Sequence, residues 1–183
     1  VAFTSALAPY QISGKLPSDT GFFVVAMGKM GAGELNYSSD IDLIVMFDDR
    51  NMDYLEASAL RQVLVRATRT ATKILNDVTE YGYVFRTDLR LRPDPSVTPI
   101  CVGMSSALDY YESLGRTWER AAFIKARICA GDRVAGAAFL EQIVPFVWRR
   151  HLDFAAIEEA HALRLKIRTK TGARGYIKVR GHD

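Results

Sequence analysis

Two apolar runs, separated by a cluster of glycines, dominate the first quarter of the chain. Residues 22–27 read Phe-Phe-Val-Val-Ala-Met, and residues 40–47 read Asp-Ile-Asp-Leu-Ile-Val-Met-Phe. Runs of this length without regular polar and apolar alternation are typical of buried strands. The sequence therefore predicts two buried strands, and the glycines between them predict a turn.

After residue 50, changes in the spacing of apolar residues along the sequence predict further helices and a strand. Helical spacing of apolar residues predicts a helix over 53–76, beginning with a capping box of Asp53 and Glu56. Alternation of apolar and charged residues predicts a strand over 82–92, ended by Pro93. The remainder predicts helices over 106–114, 117–130, 133–152 (kinked or broken at Pro145) and 153–170. Early strands followed by late helices indicate an α+β fold, with a small mixed or antiparallel sheet, flanking helices and a helical appendage.

Composition narrows the class of protein. A chain of 183 residues with 49% hydrophobic residues can bury a sizeable core, and its net charge is only +3. No apolar run approaches the roughly 20 residues of a membrane span, and the opening residues lack the pattern of a signal peptide. We therefore expect a cytoplasmic protein with no membrane partner. Two cysteines and three scattered histidines indicate neither a disulfide framework nor a zinc site.

The most informative polar residues are Asp40 and Asp42, at the start of the second apolar run. Residues i and i+2 of a strand project from one face, so these two carboxylates should lie together. Carboxylates held side by side repel each other unless a cation neutralises them, and their oxygens suit Mg²⁺ or Mn²⁺. Asp88, in the alternating segment, could complete a three-carboxylate cluster if its strand lies beside 40–47. The alternative is that Asp88 is a structural partner of Arg86 or Arg90.

The glycine cluster and several cations are candidates for phosphate binding. Gly28, Gly31 and Gly33 leave a backbone whose amides can approach phosphate oxygens, although the spacing matches neither a Walker A loop nor a dinucleotide-binding fingerprint. The planar guanidinium groups of Arg90 and Arg92 suit phosphate, but they could equally line a solvated face. Cations after residue 115, including Lys125 and Arg127 near Trp118, could form a phosphate or base platform or simply a solvated helix surface.

Several separated motifs resemble one family. The segment GKMGAGELNYSSDIDLIV, residues 28–45, resembles the polymerase-β-type nucleotidyltransferases, and more specifically the glutamine synthetase adenylyltransferase family. The resemblance continues in RTDLRLRP at 86–93, in residues 107–132 and in PFVWRRHLDFAAIE at 145–158. Enzymes of this family are large and have two homologous halves. SSDIDLIV and the segment 145–158 resemble the N-terminal, adenylyl-removing half.

The resemblance implies an activity, a set of site residues and partners. The activity would be metal-dependent phosphorolysis of an AMP group on a tyrosine of glutamine synthetase, taking up phosphate and releasing ADP, and PII signalling protein would act through the full-length enzyme. Asp40, Asp42 and Asp88 would hold Mg²⁺ or Mn²⁺ and act in catalysis. The phosphate- or nucleotide-binding residues would be Gly28, Lys29, Gly33, Ser39, Arg90, Arg92, Lys125 and Arg127. In this interpretation residues 1–20 form a partly helical leader, 21–115 the catalytic core and 116–183 a helical region cut short at its C-terminus.

Three alternatives remain open at this level. The same chemistry supports the forward reaction, in which ATP supplies AMP to the tyrosine. An inert module that senses a nucleotide or effector is a second alternative, against which the intact aspartates argue. A polymerase or tRNA-tailing enzyme is a third, and the helical motifs argue against it, so we expect no nucleic-acid partner.

Overall fold

A computed structural model of the chain describes Ser5, residues 21–50, Met52, residues 54–148, Ala162 and Leu165. The chain divides into two units, Val1–Trp148 and Arg149–Asp183, and the elements below belong to the first. The predicted leader at 1–20, the capping residue Asp53, the last residues of the helix predicted at 133–152 and the helix predicted at 153–170 lie outside the described residues.

The first unit contains one mixed sheet of five strands in the described part of the chain. The strands are β1 (Phe22–Ala26), β2 (Ile41–Phe47), β3 (Thr87–Asp88), β4 (Cys101–Gly103) and β5 (Arg127–Gly131). β1 pairs antiparallel with both β2 and β5. On its other edge β2 pairs in parallel first with β3 and then, further along, with β4. The prediction of an α+β fold with a small mixed sheet is confirmed.

Helices cover both faces of this sheet. They are α1 (Gly28–Gly31), α2 (Tyr54–Asn76), α3 (Met104–Ser113), α4 (Thr117–Phe123) and α5 (Arg133–Val147). Alternate residues of β1 and β2, including Val24 and Val45, pack with α2 in one buried cluster. The intervening residues, including Val25 and Ile44, pack with α3, α4 and α5 in a second. β1 is apolar throughout, and so is β2 after Asp42, because each face of the two central strands meets a helical layer.

Two predicted elements are wrong. The strand predicted over 82–92 is reduced to β3, because β4 occupies the adjacent stretch of the edge of β2. The helix predicted over 117–130 ends at Phe123, and the chain then forms β5, which extends the sheet beyond β1. β5 therefore lies in the same sheet as the central strands, whereas the predicted division of the chain near residue 115 stays a prediction.

The other helices agree with their predicted positions. The long helix α2 buries Leu60, Leu64, Ala67 and Ala71 of the expected stripe, whereas Ile74, the last residue of that stripe, is exposed. The side chain of Asp132 caps α5 by accepting hydrogen bonds from the backbone N–H groups of Val134 and Ala135. No helix in the described part of the chain combines the length and hydrophobicity that crossing a membrane requires.

Candidate active site

The carboxylates of Asp42 and Asp88 belong to neighbouring strands in matched register. β2 and β3 are parallel, and Asp42 is the pairing partner of Asp88. Residues in register on adjacent strands project from the same face of a sheet. Asp42 shares its face with Ile44, so both carboxylates lie on the side that carries α3, α4 and α5. Asp40 comes two residues earlier, just before β2, and its side chain is about half exposed. The topology thus brings together the three aspartates that the sequence singled out.

Two arginines pair with the outer members of this carboxylate group. Arg86 donates from Nε to Asp40 Oδ1 at 2.6 Å and also bonds the carbonyl oxygen of Ser38 at 2.7 Å. Arg90 donates from Nε to Asp88 Oδ2 at 2.9 Å, while 82% of its own side chain remains exposed. Asp42 is in register with Asp88 on the neighbouring strand and two residues from Asp40 along the chain. Of the two arginines that the sequence offers as structural partners of Asp88, Arg90 pairs with it, whereas Arg86 contacts Asp40 instead.

The pKa values of Asp42 and Asp88 reflect their different surroundings. Partial burial raises the pKa of Asp42, and the negative charges of Asp88 and Asp40 raise it further, against a smaller lowering by Arg90. Hydrogen bonds from the Arg90 side chain hold the pKa of Asp88 below its usual range, although partial burial opposes them. The negative charges of Asp88 and Asp40 therefore disfavour the charged form of Asp42, and the guanidinium of Arg90 offsets part of this repulsion.

These donors fit a hard divalent cation by their chemistry. Carboxylate oxygens are the ligands preferred by Mg²⁺, and mutual repulsion of the aspartates is relieved when a cation binds between them. Within residues 21–50, 54–148 and the few others described, no three acidic, histidine or cysteine side chains are placed so that together they could hold a metal ion. Arginines pair with Asp40 and Asp88 in this arrangement. The metal assignment of the three aspartates stays a prediction.

The glycine turn after β1 packs directly against Asp42. The backbone N–H of Met27 donates to the carbonyl oxygen of Asp42 at 2.9 Å. Gly28 follows with a φ of +54°, and a Cβ at this position would lie 3.1 Å from Asp42 Oδ2. A side chain here would meet both conformational strain and the carboxylate. Glycine at this position therefore allows the backbone of the turn to approach the carboxylate group.

The end of the glycine turn is enclosed by backbone from the β5 side of the sheet. A Cβ on Gly31 would lie 2.0 Å from the carbonyl oxygen of Lys125 and 2.6 Å from that of Ala26. Gly33, in contrast, has a φ of +74° and open space around it. Lys29 is exposed. The three glycines therefore differ. A side chain would meet the Asp42 carboxylate at Gly28 and backbone carbonyl groups at Gly31, whereas only the positive φ favours glycine at Gly33.

The basic residues predicted to bind phosphate have protein partners in this arrangement. Arg127, which lies in β5 and not on a helix, donates to the carbonyl oxygens of Gly31 at 3.1 Å and Met30 at 3.0 Å. The ammonium group of Lys125 lies 2.8 Å from Glu34 Oε2, an ion pair that lowers the pKa of Glu34. Both residues therefore tie β5 and its preceding turn to the glycine turn. Their contact with phosphate stays a prediction.

Arg92 and Ser39 lie in different surroundings. Arg92 is partly buried and donates to the carbonyl oxygens of Leu89, Pro95 and Thr98 at 2.8, 2.9 and 3.2 Å, so it holds the loop after β3 together. Ser39 immediately precedes Asp40 and is half-buried. A role for either residue in nucleotide binding stays a prediction.

Sequence reasoning missed one feature beside the carboxylates. Residues 35–39 and 83–85 line an open cavity of about 390 Å³, which we call the aromatic groove. Its side chains include Tyr37, Tyr83 and Phe85, all of which are exposed. The exposed aromatic residues were a signal in the sequence, but only the fold brings the two segments together.

Comparison with known proteins agrees with the geometry. Residues 5–142 match the family model described as glutamate-ammonia ligase adenylyltransferase. The chain is 53% identical over 170 residues to a protein of Rhodopseudomonas palustris strain HaA2 named bifunctional glutamine synthetase adenylyltransferase/adenylyl-removing enzyme. Proteins of the same name from Bradyrhizobium diazoefficiens and Mesorhizobium japonicum are 54% and 49% identical.

These alignments cover nearly all of the chain but little of the relatives. They include 89–90% of the chain and 16% of the length of each of the three relatives. The family match covers most of the described elements, from the glycine turn to α5. The resemblance drawn from the sequence motifs is confirmed, and the chain belongs to the glutamate-ammonia ligase adenylyltransferase family.

Proposed function

We propose that this chain carries the adenylyl-removing site of a bifunctional enzyme that regulates glutamine synthetase. The observation that carries the proposal is the in-register pair of Asp42 and Asp88, with Gly28 packed against Asp42. A group of carboxylates beside an open backbone turn suits the transfer of a phosphorus-centred group. The names of the relatives supply the substrate, because they describe both adenylyl transfer to glutamine synthetase and adenylyl removal.

The reaction would exchange one phosphorus–oxygen bond for another. An oxygen of orthophosphate attacks the phosphorus of the tyrosyl-AMP group, the bond from phosphorus to the tyrosine oxygen breaks, and the products are ADP and tyrosine. The tyrosine oxygen takes a proton from solvent as it leaves. The entering and leaving oxygens lie on opposite sides of the phosphorus, as they do in phosphoryl transfer generally.

The residues of the chain would act by position and charge. Asp40, Asp42 and Asp88 would hold Mg²⁺ or Mn²⁺, which when bound neutralises charge on the phosphate groups and the leaving oxygen. The attacking orthophosphate would bind against the backbone of the glycine turn at Gly28. Arg90 is exposed, so its guanidinium could exchange Asp88 for a phosphate oxygen when substrate binds. These roles require no acid or base among the residues described.

The direction of the reaction and the partners belong to the same proposal. The segment 145–158 and the sequence SSDIDLIV favour the adenylyl-removing half. Forward transfer of AMP from ATP is the alternative, and an inert nucleotide- or effector-sensing module is another. PII signalling protein would act through the longer enzyme. That enzyme would work in the cytoplasm, where the enzyme's nucleotide substrates are found.

The test is Asp42→Asn, measured with the chain placed in a full-length relative. We expect AMP removal from adenylylated glutamine synthetase to fall by at least about 100-fold, since charge stabilisation is usually the largest single term in catalysis. Asp109→Asn, at an exposed position on α3, is the matched control and should retain activity. Unchanged AMP removal by the Asp42 variant would rule out the carboxylate assignment.

Two further measurements separate the alternatives. Supplying phosphate with modified glutamine synthetase, or ATP with the unmodified protein, determines which direction this site supports. Calorimetric titration of the chain with Mg²⁺ and Mn²⁺ tests the inert module. Metal binding by the wild-type chain that the Asp42→Asn variant loses would indicate an intact metal site. Absence of binding to the wild-type chain would favour the inert module.

A further inference from the structure

The glycine turn is held to the sheet at both of its ends. At its start, the backbone N–H of Met27 donates to the carbonyl oxygen of Asp42 at 2.9 Å. At its end, Arg127 donates from Nε to the carbonyl oxygen of Gly31 at 3.1 Å and from Nη2 to that of Met30 at 3.0 Å. The first contact comes from β2 and the second from β5, the two strands that flank β1. The turn is therefore fixed from both sides of the strand that leads into it.

The register of β5 places Arg127 beside the turn. Arg127 is the pairing partner of Ala26, the last residue of β1, so β5 begins next to the point where the turn starts. Backbone before β5 also packs against the turn, since a Cβ on Gly31 would lie 2.0 Å from the carbonyl oxygen of Lys125. The ammonium group of Lys125 lies 2.8 Å from Glu34 Oε2, just past the turn. Hydrogen bonds, close backbone packing and an ion pair therefore join the same two segments.

Gly28 lies between the two supports. Its backbone approaches the Asp42 carboxylate so closely that a Cβ would lie 3.1 Å from Oδ2. In the proposed reaction orthophosphate binds against this backbone, so the placement of the turn sets where the attacking oxygen lies relative to Asp42. A misplacement of about 1 Å can slow a reaction about 100-fold.

We propose that Arg127 is a positioning residue for the reaction. It holds the end of the glycine turn and thereby fixes where orthophosphate binds beside Asp42, and the ion pair of Lys125 with Glu34 is a weaker second support. This inference rests on the proposed function, because it takes the binding site of orthophosphate from it.

The contacts of the two cations favour support of the turn over direct contact with phosphate. A guanidinium binds phosphate through two N–H groups of one edge. Arg127 presents the edge formed by Nε and Nη2 to the carbonyl oxygens of the turn. Contact with phosphate through this edge would remove the support. At Lys125, the carboxylate of Glu34 would repel an approaching phosphate.

The first test is Arg127→Met, which removes both hydrogen bonds. Kinetics are measured with the chain placed in a full-length relative, using AMP-modified glutamine synthetase and orthophosphate. We expect kcat to fall and KM for orthophosphate to rise, so that kcat/KM for orthophosphate falls about 10- to 100-fold, whereas KM for the modified protein stays at the wild-type value. Arg127→Lys keeps one donor group and should recover part of the loss. A lower folded fraction, measured by circular dichroism, would reduce kcat in proportion and change neither KM.

Glu34→Gln distinguishes positioning from direct contact, because the two roles predict opposite effects. The substitution weakens the ion pair with Lys125 and removes a negative charge, at a side chain that is 63% exposed. If the ion pair supports the turn, KM for orthophosphate should rise about two- to threefold, the effect of one exposed ion pair. If the cations bind phosphate directly, loss of the neighbouring carboxylate should leave that KM unchanged or lower it.

Arg133→Met is the matched control for Arg127→Met. Arg133 is exposed and begins α5, after β5 has ended. Its replacement removes the same charge from the same part of the chain but none of the hydrogen bonds to the turn. This variant should keep the wild-type kcat and both KM values.

The outcomes separate the positioning role from the proposed function. If Arg127→Met keeps the wild-type kinetics, or loses kcat only in proportion to its folded fraction, the positioning role is wrong and the proposed function stands. An unchanged or lowered KM for orthophosphate in Glu34→Gln overturns the positioning role in favour of direct contact. If the unsubstituted enzyme removes no AMP, the proposed function fails and the inference fails with it.

Discussion

Substitution of Gly31 by alanine tests how tightly the glycine turn is enclosed. Helix propensity alone favours alanine over glycine by about 1 kcal/mol at a helical position such as this one. The structure reverses that expectation, because the added Cβ would lie 2.0 Å from the carbonyl oxygen of Lys125 and 2.6 Å from that of Ala26. Both oxygens belong to the backbone, so no side-chain rotation relieves the contact.

The size of the destabilisation caused by Gly31→Ala depends on which part of the backbone must move. Ala26 lies within β1, in the buried centre of the sheet, so relief requires the turn that contains Lys125 to shift away. Overpacking usually costs about 1–3 kcal/mol, and a clash with two fixed backbone atoms belongs at the upper end, near 3 kcal/mol. The shift would also stretch the hydrogen bonds from Arg127 to the glycine turn.

Gly33→Ala is the comparison that separates steric clash from backbone strain. A Cβ on Gly33 meets nothing within 4 Å, so only its φ of +74° opposes the change. A left-handed conformation costs an alanine about 1–2 kcal/mol, and the reduced freedom of the unfolded chain returns about 0.4–1 kcal/mol. We therefore expect a net loss of about 1 kcal/mol, a third of that for Gly31→Ala.

Urea unfolding of the chain, followed by tryptophan fluorescence, measures the difference. With a dependence of about 2 kcal/mol per molar urea, the midpoint should fall by about 1.5 M for Gly31→Ala and about 0.5 M for Gly33→Ala. An equal or smaller loss for Gly31→Ala would refute the close packing of the turn against the backbone before β5. A gain in stability would show that helix propensity decides at this position.

Three other substitutions test particular contacts by the same unfolding measurement. Leu64→Ala removes a fully buried side chain beneath the sheet and should cost about 3–5 kcal/mol. Arg127→Met removes the donor to two backbone carbonyl groups and should cost about 1 kcal/mol, with Arg127→Lys recovering part of it. Burial raises the pKa of Glu119 above its usual 4.5, against hydrogen bonds from the Arg116 backbone and the Tyr110 hydroxyl. Because the folded-state pKa is the higher, the stability of the wild type relative to Glu119→Gln should be greatest below about pH 4.5 and should decline as the pH rises.

Exposed positions on α2 supply the controls. Leu55→Ala, at a position on α2 that is 77% exposed, should change the unfolding free energy by less than about 0.5 kcal/mol. Arg69→Met, also exposed on α2, is the matched control for Arg127. A loss at either control as large as at its buried or bonded counterpart would contradict the contacts described. If the stability of the wild type relative to Glu119→Gln rose with pH, that result would contradict the raised pKa of Glu119.

Elements whose local pattern and tertiary environment agree could be predicted from the sequence. β1, and β2 after Asp42, carry unbroken apolar runs because both of their faces are buried, and α2 carries a single apolar stripe because only one of its faces is. The placement of Asp40 and Asp42 on one face follows from the period of a strand alone. The alternating segment made Asp88 a candidate third carboxylate and the family resemblance supported it, although that segment was predicted to be a longer strand than β3.

Elements that depend on a distant partner could not be predicted. β5 follows a helix, and its five residues are strand only because β1 offers an unpaired edge. β4 has three residues, too few to show a period. The alternating pattern over 82–92 is genuine, but most of it finds no edge to pair with, since β4 already pairs with the second half of β2.

By itself, the sequence determined the α+β class, the two central strands, the long helix and the family, because local periods and linear motifs encode each of these. Only the tertiary structure decided that Asp42 and Asp88 stand in register, that Arg127 and Lys125 contact the glycine turn, and that two exposed aromatic segments meet in one groove. These contacts join residues about 45 to 100 positions apart. Which of them form depends on the order of the strands in the sheet, a property that local patterns do not carry.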